Sequence, residues 1–138
     1  MKLTNIGKSS GRNQLRERQR RDRALTPPMR ARFPQFSSLR LAFDFREETT
    51  TAPAPHLMVL HPPAPAYFLF PCPYADCDGE FDLSAPVTQL AGTGETHCEG
   101  QMLCEGHRTR DRAGRAPCRL TLDYSVVATM APLTVTTG

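Results

Sequence analysis

The stretch Phe70-Pro71-Cys72-Pro73-Tyr74-Ala75-Asp76-Cys77-Asp78-Gly79 decides how the rest of the chain is read, because three more cysteines follow at 98, 104 and 118. A Cys-Pro start, a short gap, a second Cys and a nearby Gly let the backbone turn tightly enough for two thiolates to face one cation. The pattern is that of a metal site, with zinc the expected ion; iron held by the same thiolates is the alternative. An odd count of five fits four ligands and a spare.

At 138 residues the chain has the size of one domain, but its hydrophobic fraction is 39% and it contains no Trp. That is low for a packed domain, and a small core commonly needs a staple, of which a structural metal is one. No apolar run follows the first charges, so no secretory signal is visible, and the longest apolar stretches are too short to cross a bilayer. The expectation is a cytoplasmic protein. A reducing cytosol disfavours disulfides and leaves metal binding as the simpler account of clustered thiols; two bridges and a free thiol are the alternative.

Net charge is +3, but it is polarised along the chain. Residues 1–40 carry eleven Lys and Arg against Glu17 and Asp22, a net of +9, while residues 41–100 carry Arg46 against nine acids, a net of −8. Residues 101–138 return to +2. Such asymmetry points to a polyanionic partner. Residues 1–37 read as a basic arm, disordered over 1–11 and helical over 12–25, where good helix formers run up to Pro27-Pro28. Only Leu15 and Leu25 are large and apolar in that helix, so it has no evident face to bury and is expected to be marginal alone.

From Ser38 the period changes. Leu39, Leu41, Phe43 and Phe45 alternate with Arg40, Ala42, Asp44 and Arg46, the signature of a strand with one buried face. Glu47 to Pro55 is a connection, Leu57–Leu60 and Ala66–Phe70 are short strands restricted by prolines to edges or ends, and Phe81–Leu83 returns from the cysteine knuckle as the second arm of a hairpin. Ala85–Leu90 reads as a brief helical turn bounded by Gly92 and Gly94. Thr96–Leu103 and Cys118–Val127 are strands, the latter with Leu120, Leu122, Tyr124 and Val126 on one face. His56 and His61 are read as turn or edge residues. The fold class is mainly β: a small antiparallel sheet over 38–128, a basic, partly helical or disordered amino-terminal arm, and a disordered tail over 129–138.

The strands constrain the ligand set. If Thr96–Leu103 is extended, Cys98 and Cys104 lie about 20 Å apart and cannot share an ion. Cys104 and Cys118 close the loop Glu105–Pro117, and antiparallel pairing of the flanking strands brings its ends together. The preferred metal ligands are therefore Cys72, Cys77, Cys104 and Cys118, with Cys98 a half-buried strand residue. The rival set uses a turn at Glu99-Gly100 to fold Cys98 beside Cys104, with His97 and His107 as substitutes.

The chain here resembles the zinc ribbon class, in which two hairpins each present a pair of thiolates to one zinc ion beneath a small antiparallel sheet. The resemblance covers about residues 66–127, and its specific parts are Cys72-Pro73-Tyr74-Ala75-Asp76-Cys77-Asp78-Gly79 and the Cys104-Glu105-Gly106 step. The chain departs from the usual ribbon in the four-residue gap between Cys72 and Cys77 and in the long separation of Cys104 from Cys118.

Four thiolates close a tetrahedral ion, so the metal is expected to be structural and the protein not an enzyme. No Gly-rich phosphate loop, nucleophile elbow or paired zincin histidines appear. What remains is arginine. Arg108, Arg110, Arg112 and Arg115 sit in a loop held at both ends by ligands, a flexible basic finger fit for phosphates, and Arg16, Arg18, Arg20 and Arg21 extend the footprint. The expected partner is nucleic acid, RNA or a ribonucleoprotein surface being favoured. A protein-interaction module that docks through its acidic, Pro-rich middle and exposed strand edges is the alternative.

Overall fold

The computed structural model describes residues 10–48, 51–110 and 114–132. The alternation at 39–45 does what its period requires: Phe36–Arg46 forms the long strand β1, with Leu39, Leu41 and Phe43 buried. Around it a four-stranded antiparallel sheet forms in the order β2-β1-β8-β5, with β2 at His56–Leu60, β5 at His97–Leu103 and β8 at Thr121–Met130. Register places Leu41 opposite Val126 and Met58, and Cys98 opposite Val126, so these side chains share one face. The other face carries Arg40, Asp44, Asp123, Glu99 and Gln101, with exposed Leu57, Val59 and Val127 among them. The protein is thus mainly β, built of small antiparallel sheets with a short amino-terminal helix.

Three pieces cover the apolar face. A two-stranded hairpin, β3 (Leu69–Pro71) with β4 (Glu80–Asp82), sets Phe70 edge-on against Phe43 at 5.1 Å between ring centroids and Phe81 against Phe45 at 6.3 Å. Helix α3 (Ser84–Thr93) buries Pro86, Val87 and Leu90; Asp82 Oδ1 accepts from the Ser84 amide at its start, and Gly94 in the left-handed region ends it. Last, Met29, in the single-turn helix α2 (Met29–Arg32), and Phe33 are buried in the same core, although both lie in the stretch read from sequence as arm. They are anchored by the Pro-rich break: the amides of Met29 and Arg30 donate to the carbonyls of Ala64 and Pro62, and Ala66 donates to Pro27. Prolines cannot donate, but their carbonyls still accept.

Helix α1 (Ser10–Leu25) departs from expectation. It does have a buried face, made of Leu15 and the polar Gln19, which is only 3% exposed because its amide donates to Glu80. Polar contacts close the interface that the hydrophobic period could not reveal. The segment read as a flexible basic finger is also ordered where it is described: β6 (His107–Arg110) pairs antiparallel with β7 (Gly114–Pro117). Two boundaries shift. Strand β8 begins at Thr121, three residues after Cys118, and it runs through Met130, into the stretch read as tail. Of the stretches read as disordered, 1–11 and 129–138, Ser10 and Gly11 belong to α1 and Thr129 and Met130 to β8, while residues 1–9 and 133–138 lie outside the described residues.

Candidate metal centre

Each pair of cysteines is delivered by a strand end. Cys72 and Cys77 occupy the tip between β3 and β4, where Cys72 donates its amide to the Gly79 carbonyl and Cys77 to that of Tyr74. Cys104 follows the last residue of β5 and Cys118 precedes the first residue of β8 by three, and pairing of Leu103 with Thr121 brings them together. Across the junction Cys104 donates to Leu120 and Cys118 to Gly106. The four sulfurs converge from opposite sides, 3.7 Å apart for Cys77 and Cys104 and 4.0 Å for Cys72 and Cys118, all six separations lying within 4.8 Å. All four cysteines are buried, at 0% to 3% exposure. These separations are about twice a disulfide bond length, and none of the cysteines is bridged. The cluster can hold a metal ion.

Cys98 stands apart. It lies inside β5, half-buried, with its thiol 3.9 Å from the Pro86 carbonyl, and no turn forms at Glu99-Gly100. Gly100 has a different reason to be glycine: a Cβ there would lie 2.5 Å from the Tyr124 hydroxyl, whose ring lies over this point of the strand. His97 is exposed on the other face of the sheet, near Ser125 and Glu99, and His107 contributes its backbone to the knuckle junction while its side chain is exposed.

Two backbone amides point at ligand sulfur. Gly79 donates its amide to Cys77 Sγ at 3.3 Å and Gly106 to Cys104 Sγ at 3.4 Å, the same two-residue step in both knuckles. As bare sulfurs the four cannot all ionise in so small a buried space. A hydrogen bond from Cys72 pulls Cys104 down to about 6, against the effect of burial. The same bond, with burial, pushes Cys72 up, and burial pushes Cys77 up to about 12 and Cys118 upward. One thiolate and three thiols is a protonation state that a divalent cation would convert to four thiolates.

A second layer fixes the first. Asp78 donates its amide to the His107 carbonyl, and its Oδ1 accepts from the His107 amide at 2.8 Å, stitching the two knuckles together. Arg12 of α1 reaches across to donate to the carbonyls of Cys72, at 2.7 Å, and Cys77, at 3.2 Å. Sequence reasoning missed Arg12, because nothing local separates it from the other arginines of the helix. The repeated Cys-x-Gly step at 77–79 and 104–106 was visible, and it is the signal for the two N–H to sulfur bonds.

The arginines divide into two groups. Arg108 is half-buried, 3.0 Å from Asp76 and stacked 3.7 Å from the Tyr74 ring centroid; Arg115 meets Asp78 at 2.5 Å and the His107 carbonyl at 2.8 Å. These two tie the β6–β7 hairpin to the first knuckle, so they are not the arms of a free finger. Arg110 lies in β6, and Arg112 lies outside the described residues. On α1, Arg18 pairs with Glu80 at 2.8 Å and with Asp22 at 3.3 Å, and Arg20 pairs with Glu17. Arg16, Arg20 and Arg21 are exposed, as are Arg23, Arg30 and Arg32. Among the described residues no helix is long and apolar enough to cross a membrane. No protein-family model, curated protein or solved structure matches the chain.

Proposed function

We propose that the four cysteines hold a structural zinc ion, and that the domain so stapled presents the arginine row of α1 to nucleic acid, RNA or a ribonucleoprotein surface being favoured. Zinc–sulfur bonds of about 2.3 Å in a tetrahedron imply sulfur separations of about 3.8 Å. The two separations of 3.7 and 4.0 Å fit that figure, and all six lie within 4.8 Å. Cys72, Cys77, Cys104 and Cys118 would be the ligands, and with four thiolates no position is left for substrate or water, which makes the role non-catalytic. Iron would fit the same sulfurs, and elemental analysis of protein purified without added metal separates the two.

The observation that carries the binding reading is the placement of exposed arginine. Arg16, Arg20, Arg21, Arg23, Arg30 and Arg32 are exposed on α1 and α2, whereas Arg108 and Arg115 are engaged by Asp76 and Asp78. Arg16, Arg20 and Arg23 follow helical spacing and so share a face over about 10 Å of helix. Guanidinium groups in such a row suit phosphates, and binding of this kind is salt-sensitive and largely sequence-independent. RNA is favoured because arginine-rich segments recur in its recognition.

Fluorescence anisotropy with a single-stranded RNA, a double-stranded RNA and a DNA duplex across a salt series tests this. Four phosphate contacts on a single strand give a log–log slope of about −3. Affinity indifferent to salt would favour the other reading, a protein-interaction module, for which exposed Leu57 and Val59 on the edge strand β2 are the supporting feature.

A further inference from the structure

We infer that Arg12 is a positioning residue of the metal centre, and that through it metal occupancy and docking of the arginine-bearing helix α1 are coupled. The inference rests on the metal-centre reading above and goes beyond it, because it makes the display of the arginine row conditional on the ion.

The contacts that Arg12, Arg18, Gln19 and Arg23 make beyond the helix fall on one short segment. Arg12 donates to the carbonyls of Cys72 and Cys77, Arg18 and Gln19 bind the Glu80 carboxylate, and Arg23 lies over the Tyr67 ring at 5.2 Å. All of these partners lie between Tyr67 and Glu80, on the two arms and the tip of the hairpin that carries the first two ligands. At the same end Gly11 abuts Asp78: a Cβ on Gly11 would sit 3.3 Å from Asp78 Cβ. Leu15 is the only large apolar side chain of the helix that is buried, while Leu25 is 85% exposed.

A helix so held has little of its own to keep it in place. Its sixteen residues carry six arginines against Glu17 and Asp22, so self-repulsion opposes it, and one buried Leu supplies little burial. Among those contacts, the Arg12 pair depends on the shape of the Cys72–Cys77 turn, because two carbonyls must point at one guanidinium at once. That shape is the part of the chain a bound ion would hold, since both ends of the turn are ligands. The converse follows by linkage: a helix that binds only the metal-shaped turn stabilises the ion by the same free energy that the ion lends to docking.

Charge gives the coupling its sign. Four thiolates around a divalent cation leave a buried net charge of −2, which needs positive neighbours in a medium of low polarity. The Arg12 guanidinium is partly buried beside two of the ligand residues, and its Nε is buried without a hydrogen-bond partner among the described residues. A cation placed there by two carbonyl bonds would offset part of that charge. Its loss is expected to act on the metal, not on the helix alone.

The experiment uses the full chain, zinc-loaded and zinc-stripped under reductant, as wild type, Arg12→Ala, Arg12→Lys and Glu80→Gln. Two rates are read: zinc transfer to a chromophoric chelator, and tryptic cleavage after Arg16, Arg20 and Arg21, followed by mass spectrometry. Neither readout involves nucleic acid, so failure of the RNA reading leaves it untouched. Stripped wild type is expected to be cut within α1 at least tenfold faster than loaded protein. Loaded Arg12→Ala is expected to be cut faster within α1 and to lose zinc about tenfold faster, in the range typical of outer-layer partners. Arg12→Lys, with one charged group able to reach one carbonyl, should recover part of both, and it carries the measurement if Arg12→Ala does not fold. Glu80→Gln should loosen α1 yet lose zinc more slowly than Arg12→Ala. Three results overturn the inference: Arg12→Ala frees α1 but releases zinc at the wild-type rate, stripped protein keeps α1 protected, or the purified chain holds no metal. In the first two cases the metal-centre reading survives, and in the third both fall.

Discussion

Gly79 and Gly106 stand back to back at the heart of the metal centre: a Cβ on Gly106 would lie 2.3 Å from the Gly79 amide nitrogen, and one on Gly79 would lie 2.4 Å from Cys104 Sγ. The obstacles are backbone and a ligand sulfur, neither of which can swing away. Gly79→Ala and Gly106→Ala are each expected to cost about 3 kcal/mol or more, at or beyond the upper end of ordinary overpacking, and to weaken metal retention. Gly92→Ala on α3, where nothing lies within 4 Å, should be neutral or stabilising by about 0.5–1 kcal/mol. Chemical unfolding of the three variants, with metal content measured on each, checks the contrast.

The cysteines should divide four to one. Structural zinc in small domains contributes an apparent 10–16 kcal/mol, roughly, which matches or exceeds the whole stability of a typical fold. Serine at 72, 77, 104 or 118 is therefore expected to leave a chain without metal, its two knuckles and α1 undone around the four-stranded sheet. Cys98→Ser should keep the metal and cost about 1 kcal/mol, because its thiol is half-buried in β5 and its one polar contact is a long one to Pro86. Elemental analysis beside far-ultraviolet circular dichroism reads both effects.

Period-two alternation marked β1 and most of β8, because side chains there answer mainly to the core. The sulfur cluster was legible for a related reason: strand length forbids Cys98 and Cys104 to share an ion, while antiparallel closure joins Cys104 to Cys118. What sequence could not show is held by polar geometry. Helix α1 lacks an apolar stripe because Arg12, Arg18 and Gln19 dock it by hydrogen bonds, and the hairpin at 107–117 lacks a strand period because Arg108 and Arg115 tie it to Asp76 and Asp78. Gly100, which kept the rival ligand set open, is demanded instead by a side chain on a neighbouring strand.

Metal uptake should be steeply pH-dependent. Near pH 7 Cys104, drawn down to about 6 by its bond from Cys72, is already a thiolate, while Cys72, Cys77 and Cys118 are thiols. Binding then releases about three protons, and affinity rises about a thousandfold per pH unit between pH 7 and 8. The sign differs for the metal-free fold. Cys77, raised from 9.0 to about 12, gives it stability that is full below pH 9 and lost as pH climbs toward 12. Calorimetry in buffers of different ionisation enthalpy counts the protons, and alkaline unfolding of stripped protein checks the second sign.

The two groups of arginine should separate stability from affinity. Arg108→Ala removes a stack on Tyr74 and an ion pair with Asp76, both only partly screened from water, and should cost about 1–2 kcal/mol. Because that guanidinium faces inward, RNA affinity should fall less than threefold. Substituting Arg16, Arg20, Arg21 and Arg30 together by Gln touches exposed side chains outside the contacts that dock α1, of which Arg20 meets Glu17 on its own helix. Melting temperature should move little, while affinity for a single-stranded RNA at low salt drops a hundredfold or more and the salt slope flattens by about 0.7 per lost contact. If Arg108→Ala weakens binding as strongly as the quadruple variant, the binding surface lies on the β6–β7 hairpin instead of the helix.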